Sequence, residues 1–257
     1  VERSRGLGDV YKRQVLTFPD SPSGRTRIDS VLMAQKVKNV TGFEVMPHIC
    51  CRDKNAIAVR STFLGASING INNFLIITGD PIPVMARQVV KSVFNFDSVG
   101  LMRIADEMNS EALKDSPLTY GGAINQSRRR IESEIKRVQK KMEAGAEFFL
   151  TQPVFTAEDA ERLRRVKEET GARILCGIMP LVSRKNALFM KNEISGVNVT
   201  DEVIERYPET ADRDDGENVG VELAKEMIAA TRDFADGYYF SFPFNRTYLL
   251  KRIIQEV

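Results

Sequence analysis

Seven times between Val15 and Val257 a short apolar run gives way to a stretch with helical spacing, and this alternation restricts the fold more than anything else in the chain. The runs are Val15 to Phe18, Phe43 to His48, Asn73 to Thr78, Leu118 to Asn125, Glu147 to Thr151, Arg173 to Ile178 and Gly237 to Ser241. Strand then helix, repeated, means a parallel sheet, because parallel neighbours need a crossover and a helix is the usual one. Helices are predicted from Asp29 or Ser30 to about Lys38, from Asn55 to Gly70, and from Asp97 to about Ser110. Further ones are predicted over Arg128 to Ala144, Ala157 to Thr170, Lys185 to Glu193, Asn218 to Ala235 and Arg246 to Val257. The fourth of these is the plainest, with Ile131, Ile135, Val138 and Met142 at helical spacing and Gly145 to end it. The acid-rich run Asp212 to Glu217 reads as part of an insertion with short helices. No Gly-x-Gly-x-x-Gly or Walker loop is present, which counts against an open nucleotide-binding sheet. The expected fold is therefore α/β: a TIM (β/α)8-type barrel, for which seven strands are one short, with an open doubly wound sheet as the alternative.

A chain of 257 residues fits one barrel or two small domains, and no linker or composition break divides it. Residues 15–257 are read as a single barrel domain. Val1 to Gln14 has neither strand nor helix periodicity, and its sequence is like a translated sequencing-adapter tail, so it is expected to be non-native. The net charge of +2 is spread over mixed charges, which gives no nucleic-acid footprint. No apolar run is long enough to suggest a membrane span. Three cysteines, with Cys50 and Cys51 adjacent and Cys176 far away, fit neither a zinc site nor a disulfide framework. They are expected to be reduced packing residues in a cytoplasmic protein, and no metal is expected.

Polar residues recur just after the strands: Asp20, His48, Asp80, Asn125, Gln152, Ser183 with Asn186, and Asn245 with Arg246. A barrel gathers such positions at one mouth. The sharpest is Ile76-Ile77-Thr78-Gly79-Asp80-Pro81, where a buried strand ends in a carboxylate and Gly79 is expected to let a flat ligand approach the backbone. Asp80 is either a turn former or an electrostatic partner for a cationic group. His48, the one histidine, is either a hydrogen-bonded structural residue or a cofactor contact, and a histidine pair for metal or relay is excluded. An amide such as Gln152 both donates and accepts, so it reads a heterocycle edge or stabilises a turn. The basic run Arg128-Arg129-Arg130, Lys136-Arg137 and Lys140-Lys141 is a solvated face or a contact to a phosphate-bearing cofactor. No Gly-x-Ser-x-Gly elbow supports a serine triad.

Four blocks in this order resemble the methylenetetrahydrofolate reductase family, with the flavour of the reductase half of bifunctional homocysteine methyltransferase/reductase proteins. They are Pro47-His48-Ile49-Cys50-Cys51-Arg52-Asp53-Lys54-Asn55, Ile77-Thr78-Gly79-Asp80-Pro81, Ala144 through Gln152-Pro153-Val154-Phe155, and Gly177-Ile178-Met179-Pro180-Leu181. The resemblance implies an eight-stranded barrel that binds FAD, uses NADH or NADPH and reduces 5,10-methylenetetrahydrofolate to 5-methyltetrahydrofolate. It implies flavin contacts at His48, Thr78, Gly79, Asp80, Phe94, Asn95 and Ile124, the last where the family often has an aromatic residue. It places Glu134, Arg137, Lys140 and Lys141 on the nucleotide part of FAD. Asp80, Gln152, Asn186 and Arg246 fall at folate positions, Asn186 where many members have a second glutamine. Asp80 would act electrostatically. The family's general acid is a glutamate on the first strand, and the expectation is that the first β/α unit, and that acid with it, is missing here. The resemblance further implies a homo-oligomer or a complex with a partner subunit. Two other readings compete with it: a flavin-free folate barrel that passes methyl groups to a corrinoid, and an inactive subunit that binds a partner reductase.

Overall fold

The computed structural model describes residues 15–194, 196–209 and 212–255, so the expectation for Val1 to Gln14 lies outside the described residues. The chain divides into two compact units, Val1–Gly122 with Lys140–Glu147, and Ala123–Gln139 with Phe148–Val257. The change of unit falls inside a strand and inside a helix, which is why no break in composition announces it.

In the first unit β1 (Val15–Phe18), β2 (Glu44–Cys50), β3 (Asn73–Ile77) and the start of β4 (Thr119–Ile124) pair in chain order, every pair parallel. His48 stands opposite Leu75, and Asn73 opposite Thr119. Phe74, Leu75 and Ile76 are all buried, as a continuous apolar run in a parallel sheet requires. The crossovers are α1 (Ser30–Thr41), α2 (Ala56–Ile68) and α3 (Ser98–Ser110). Each begins at a side-chain cap: Asp29 accepts from the amides of Val31 and Leu32, Asn55 from Ala58 and Asp97 from Gly100. The rings of Phe63 on α2 and Phe74 on β3 meet edge to face, 5.1 Å apart, in the core of this unit.

In the second unit β5 (Phe148–Pro153), β6 (Ile174–Ile178) and β7 (Gly237–Phe240) are again parallel in chain order, with a register shift between Leu150 and Pro153. Its helices are α4 (Ile131–Glu143, whose last turn lies in the first unit), α5 (Ala157–Thr170), α6 (Arg184–Glu193), α7 (Asp201–Glu205), α8 (Arg213–Thr231) and α9 (Leu249–Ile254). Strand and helix alternation with parallel neighbours in sequence order is the plan of the TIM-barrel class, and the described residues contain seven strands of it.

Three boundaries differ from the reading of the sequence. Arg128, Arg129 and Arg130 precede α4 instead of opening it, and the first turn carries Glu132 and Glu134, the charge a helix N-terminus favours. α8 starts at Arg213, so the acid-rich run is its first turn, with Asp214 and Asp215 at the positive end of the dipole. The last helix starts only at Leu249, because Pro243–Asn245 forms a 3₁₀ turn in which Phe244 and Asn245 are left-handed, φ 55° and 58°. Among the described residues no helix is long and apolar enough to cross a membrane.

Candidate functional site

In the first unit the turn after β3 is built on a packing contact. Gly79 has φ +90°, and a Cβ there would lie 2.8 Å from Cβ of Cys50. The space on the Cβ side of Gly79 is thus filled by Cys50 at the end of β2. Asp80 follows, exposed, and its Oδ2 accepts a 2.6 Å hydrogen bond from the amide of Ser23. Ser21 and Ser23 are left-handed, φ 45° and 56°, and a Cβ on Gly24 would lie 2.6 Å from the carbonyl oxygen of Pro81. The turn after β1 is therefore folded tightly onto the turn after β3. Non-glycine residues hold such conformations only where their surroundings impose them.

Arg52, 2% exposed, ties this end of the sheet together. Its Nη1 donates to the backbone oxygen of Asp80 at 3.1 Å, and its Nε and Nη2 grip Asp53 at 2.8 and 2.6 Å. Its own carbonyl accepts from the amide of Val93 at 2.7 Å. A buried guanidinium thus fixes the backbone at Asp80 while the carboxylate faces solvent. Val93 leads into Phe94, left-handed at φ 38° and exposed, and then Asn95, also exposed.

Beside it lies His48. Burial lowers its pKa to about 4, against the opposing charge of Asp20, so the imidazole is neutral at ordinary pH. Its Nε2 is buried without a hydrogen-bond partner among the described residues. Asp20 accepts from the amide of Cys50 at 3.1 Å and from Lys54 Nζ at 3.3 Å. Ligand atoms of Asp20, Cys50 and Asp53 lie within 4.8 Å of one another. Lys54 and Arg52 already pair with the two carboxylates, so the group is a neutralised ion-pair net. Burial pushes the thiols up, Cys50 to about 11 and Cys51 and Cys176 to about 12, and all three cysteines are free and buried.

In the second unit the end of β5 is held by main-chain clamps. Gln126, 0% exposed, accepts from the amide of Gln152 at 3.2 Å and donates to the carbonyls of Gln152 and Pro153 at 3.0 and 3.3 Å. Thr151 Oγ1 accepts from the amide of Gly177 at 2.9 Å, and Tyr239 donates its hydroxyl to the carbonyl of Thr151. The side chain of Gln152, half-buried, makes no hydrogen bond among the described residues. Ile124 has 0% of its surface exposed and packs in the core. Glu134 is buried, accepts from the amide of Asn125 at 2.9 Å and pairs with Arg128 at 2.8 Å and Arg137 at 3.7 Å. This ties Glu134 to protein groups and makes it a holder of arginines. Along α4, Lys141 is buried and Lys140 exposed.

Asn186 is buried too. Its amide donates to Ser183 Oγ at 3.1 Å while its Oδ1 accepts from the amide of Val182 at 3.2 Å, a reciprocal cap on α6. Its oxygen is therefore engaged by the helix start. Arg246 donates through Nε to Glu217 at 2.7 Å and lies over the ring of Phe244 at 5.4 Å. With Val182, Ser183, Asp212, Arg213 and Phe244 it lines an open cleft of about 470 Å³.

The profile of methylenetetrahydrofolate reductase matches residues 10–255, nearly the whole chain. The chain belongs to the methylenetetrahydrofolate reductase family. The 5,10-methylenetetrahydrofolate reductase of Salmonella typhimurium is 26% identical over 174 residues, 67% of this chain and 55% of the relative. That of Buchnera aphidicola is 27% identical over 169 residues, 65% of this chain and 54% of the relative. The aligned part thus spans about half the length of those reductases. In the fold comparison, a solved Clostridium thermocellum protein that binds two copies of 5-methyl-5,6,7,8-tetrahydrofolic acid shares a TM-score of 0.51 at 15% identity, over 98% of this chain and 96% of that one. At that identity the likeness speaks for the fold.

Within this family member, Arg52, Gln126 and Glu217 are the site-building residues that received no role in the reading of the sequence, while Asp20 was among the candidates after the strands. Arg52 stood in a recognised block, and Asp20 stood after a strand. Gln126 and Glu217 had little local signal, because Gln126 works through partners 26 and 27 residues away and Glu217 through Arg246 and Tyr248, 29 and 31 residues away, as well as the nearby Arg213.

Proposed function

We propose that the chain catalyses the flavin-dependent reduction of 5,10-methylenetetrahydrofolate to 5-methyltetrahydrofolate with NADH or NADPH. The observation that carries this reading is the Asp80 turn: an exposed carboxylate whose backbone is held by the buried Arg52 and whose Oδ2 is aimed by Ser23. A fixed carboxylate stabilises a cation at a set point without reorganising, which suits the cationic iminium form of the methylene folate.

FAD, when bound, supplies the hydride chemistry that no side chain can. The orphaned, buried Nε2 of His48 fits a polar atom of such a group, and Phe94 offers an exposed ring. Thr78, Gly79, Asp80 and Asn95 complete the residues that would hold it in the first unit. Arg137, Lys140 and Lys141 on α4 carry charge suited to its phosphates. Because His48 is neutral at ordinary pH, it hydrogen-bonds rather than donating a proton as an imidazolium. Gln152 has an uncommitted amide for the edge of a pterin or a nicotinamide. Arg246 presents a guanidinium to the carboxylate end of the folate, and Asn186 has only its amide nitrogen left to add.

The test is purification followed by an absorbance spectrum and a coupled assay. Flavin absorbance, with NAD(P)H oxidation that depends on 5,10-methylenetetrahydrofolate, is the expected outcome. Folate binding without flavin or NAD(P)H oxidation would sink the reading in favour of a methyl-transferring barrel. Binding of both without turnover would point to a subunit that serves a partner.

A further inference from the structure

Glu217, on the first turns of α8, is 2% exposed, and its Oε1 receives three donors: Tyr248 Oη at 2.6 Å, Arg246 Nε at 2.7 Å and Arg213 Nε at 3.0 Å. Arg213 Nη2 also donates to Tyr248 Oη at 2.7 Å, and Arg252 Nη1 stands 4.0 Å from Oε2. Burial pushes the Glu217 carboxyl up, but the bonds from Tyr248, Arg213 and Arg246 outweigh it and hold the group ionised, below its usual range. A buried carboxylate is costly unless satisfied in this way. Gly216 and Gly220 press the helix against its neighbour, since a Cβ on them would lie 2.4 Å from the carbonyl oxygen of Val182 and 2.0 Å from that of Leu181. The carboxylate is therefore fixed by its backbone as well as by its partners.

The consequence falls on the two arginines of the cleft. Arg246 is engaged only through Nε, so its two terminal nitrogens carry no hydrogen bond among the described residues and remain for a ligand. Arg213 lines the same cleft, and Phe244, 73% exposed, supplies an apolar platform beneath Arg246. A guanidinium fork with both terminal groups open matches a carboxylate bidentately.

We propose that Glu217 is a positioning residue that sets Arg246 and Arg213 as a cation pair reading the glutamyl carboxylates of the folate. This rests on the folate reading above. Removing the charge with Glu217→Gln loosens the fork without touching the ligand. Dissociation constants are measured for 5-methyltetrahydrofolate and for 5-methyltetrahydropteroate, which lacks the glutamyl group. The variant is expected to bind the first about tenfold more weakly, a loss of one good charged contact, and the second within about twofold of the wild type. In an Arg246→Leu background, Glu217→Gln should cost less than it does alone, because part of its effect runs through that arginine. Arg246→Lys, which keeps the charge but lacks the fork, should show the same ligand-selective loss, and it tests the idea even where Glu217→Gln fails to fold.

Equal losses on both ligands, or additive losses in the double variant, overturn the proposal and leave the folate reading standing. A wild-type protein that binds neither ligand overturns the folate reading itself.

Discussion

At the scale of single residues, the Asp80 turn combines two demands that separate under mutation. Gly79 serves stability. Its φ of +90° and the 2.8 Å approach to Cys50 both exclude a side chain, so Gly79→Ala should destabilise the fold by about 2–4 kcal/mol, read from urea unfolding. Asp80 serves charge. Asp80→Asn keeps an oxygen for the amide of Ser23 at the observed 2.6 Å but removes the negative charge. Turnover should fall about 10²-fold or more, while unfolding free energy moves by less than about 1 kcal/mol. A variant that loses stability but keeps its turnover would reduce Asp80 to a clasp between two turns.

At the scale of elements, the strand ends are positioned by clamps from neighbouring segments. Gln126 replaces missing sheet partners at the end of β5 with three hydrogen bonds of 3.0 to 3.3 Å. Gln126→Leu leaves those backbone groups buried and unpaired, and should cost about 2–3 kcal/mol and weaken folate binding through Gln152. Tyr239→Phe removes only the bond to Thr151 and should cost about 1 kcal/mol, with both values read from denaturant midpoints. Elements of this kind were legible in the sequence wherever the information is local. The strands, the cap at Asp29, the helix beginning at Asn55 and helix α5 at Ala157–Thr170 follow from periodicity and capping. The start of α8 was not legible, because Asp212 to Glu217 has the composition of a loop and its close packing against Leu181 and Val182 through Gly216 and Gly220 is not local information. The site divides the same way. Asp80, Gln152 and Arg246 stand at strand ends and are visible. Ile124 and Glu134 are marked only by the motif; their burial, and the pairing of Glu134 with Arg128 and Arg137, depend on the folded chain and are not visible in the sequence.

At the scale of the whole molecule, one histidine in 257 residues gives folding a simple acid response. No other side chain has an ordinary pKa between 5 and 8. His48 titrates near its usual value of 6.5 in the unfolded chain, but only at about 4 when folded, because burial opposes the charge more than Asp20 favours it. Above pH 6.5 both states hold the neutral imidazole, and the group contributes nothing that changes with pH. As pH falls below 6.5 the unfolded chain takes up a proton that the folded chain refuses, so the folded state loses ground until pH 4, where both bind it. Between pH 7 and pH 5 the loss should reach about 2 kcal/mol, at about 1.4 kcal/mol per pH unit below the unfolded value. Urea midpoints of the wild type and His48→Asn, compared at the two pH values, isolate this contribution from the carboxylates, which titrate in both proteins. A wild type whose acid loss matches that of His48→Asn would mean that the imidazole is hydrated in the folded protein and that its Nε2 is not the open, dry donor or acceptor on which the cofactor contact depends.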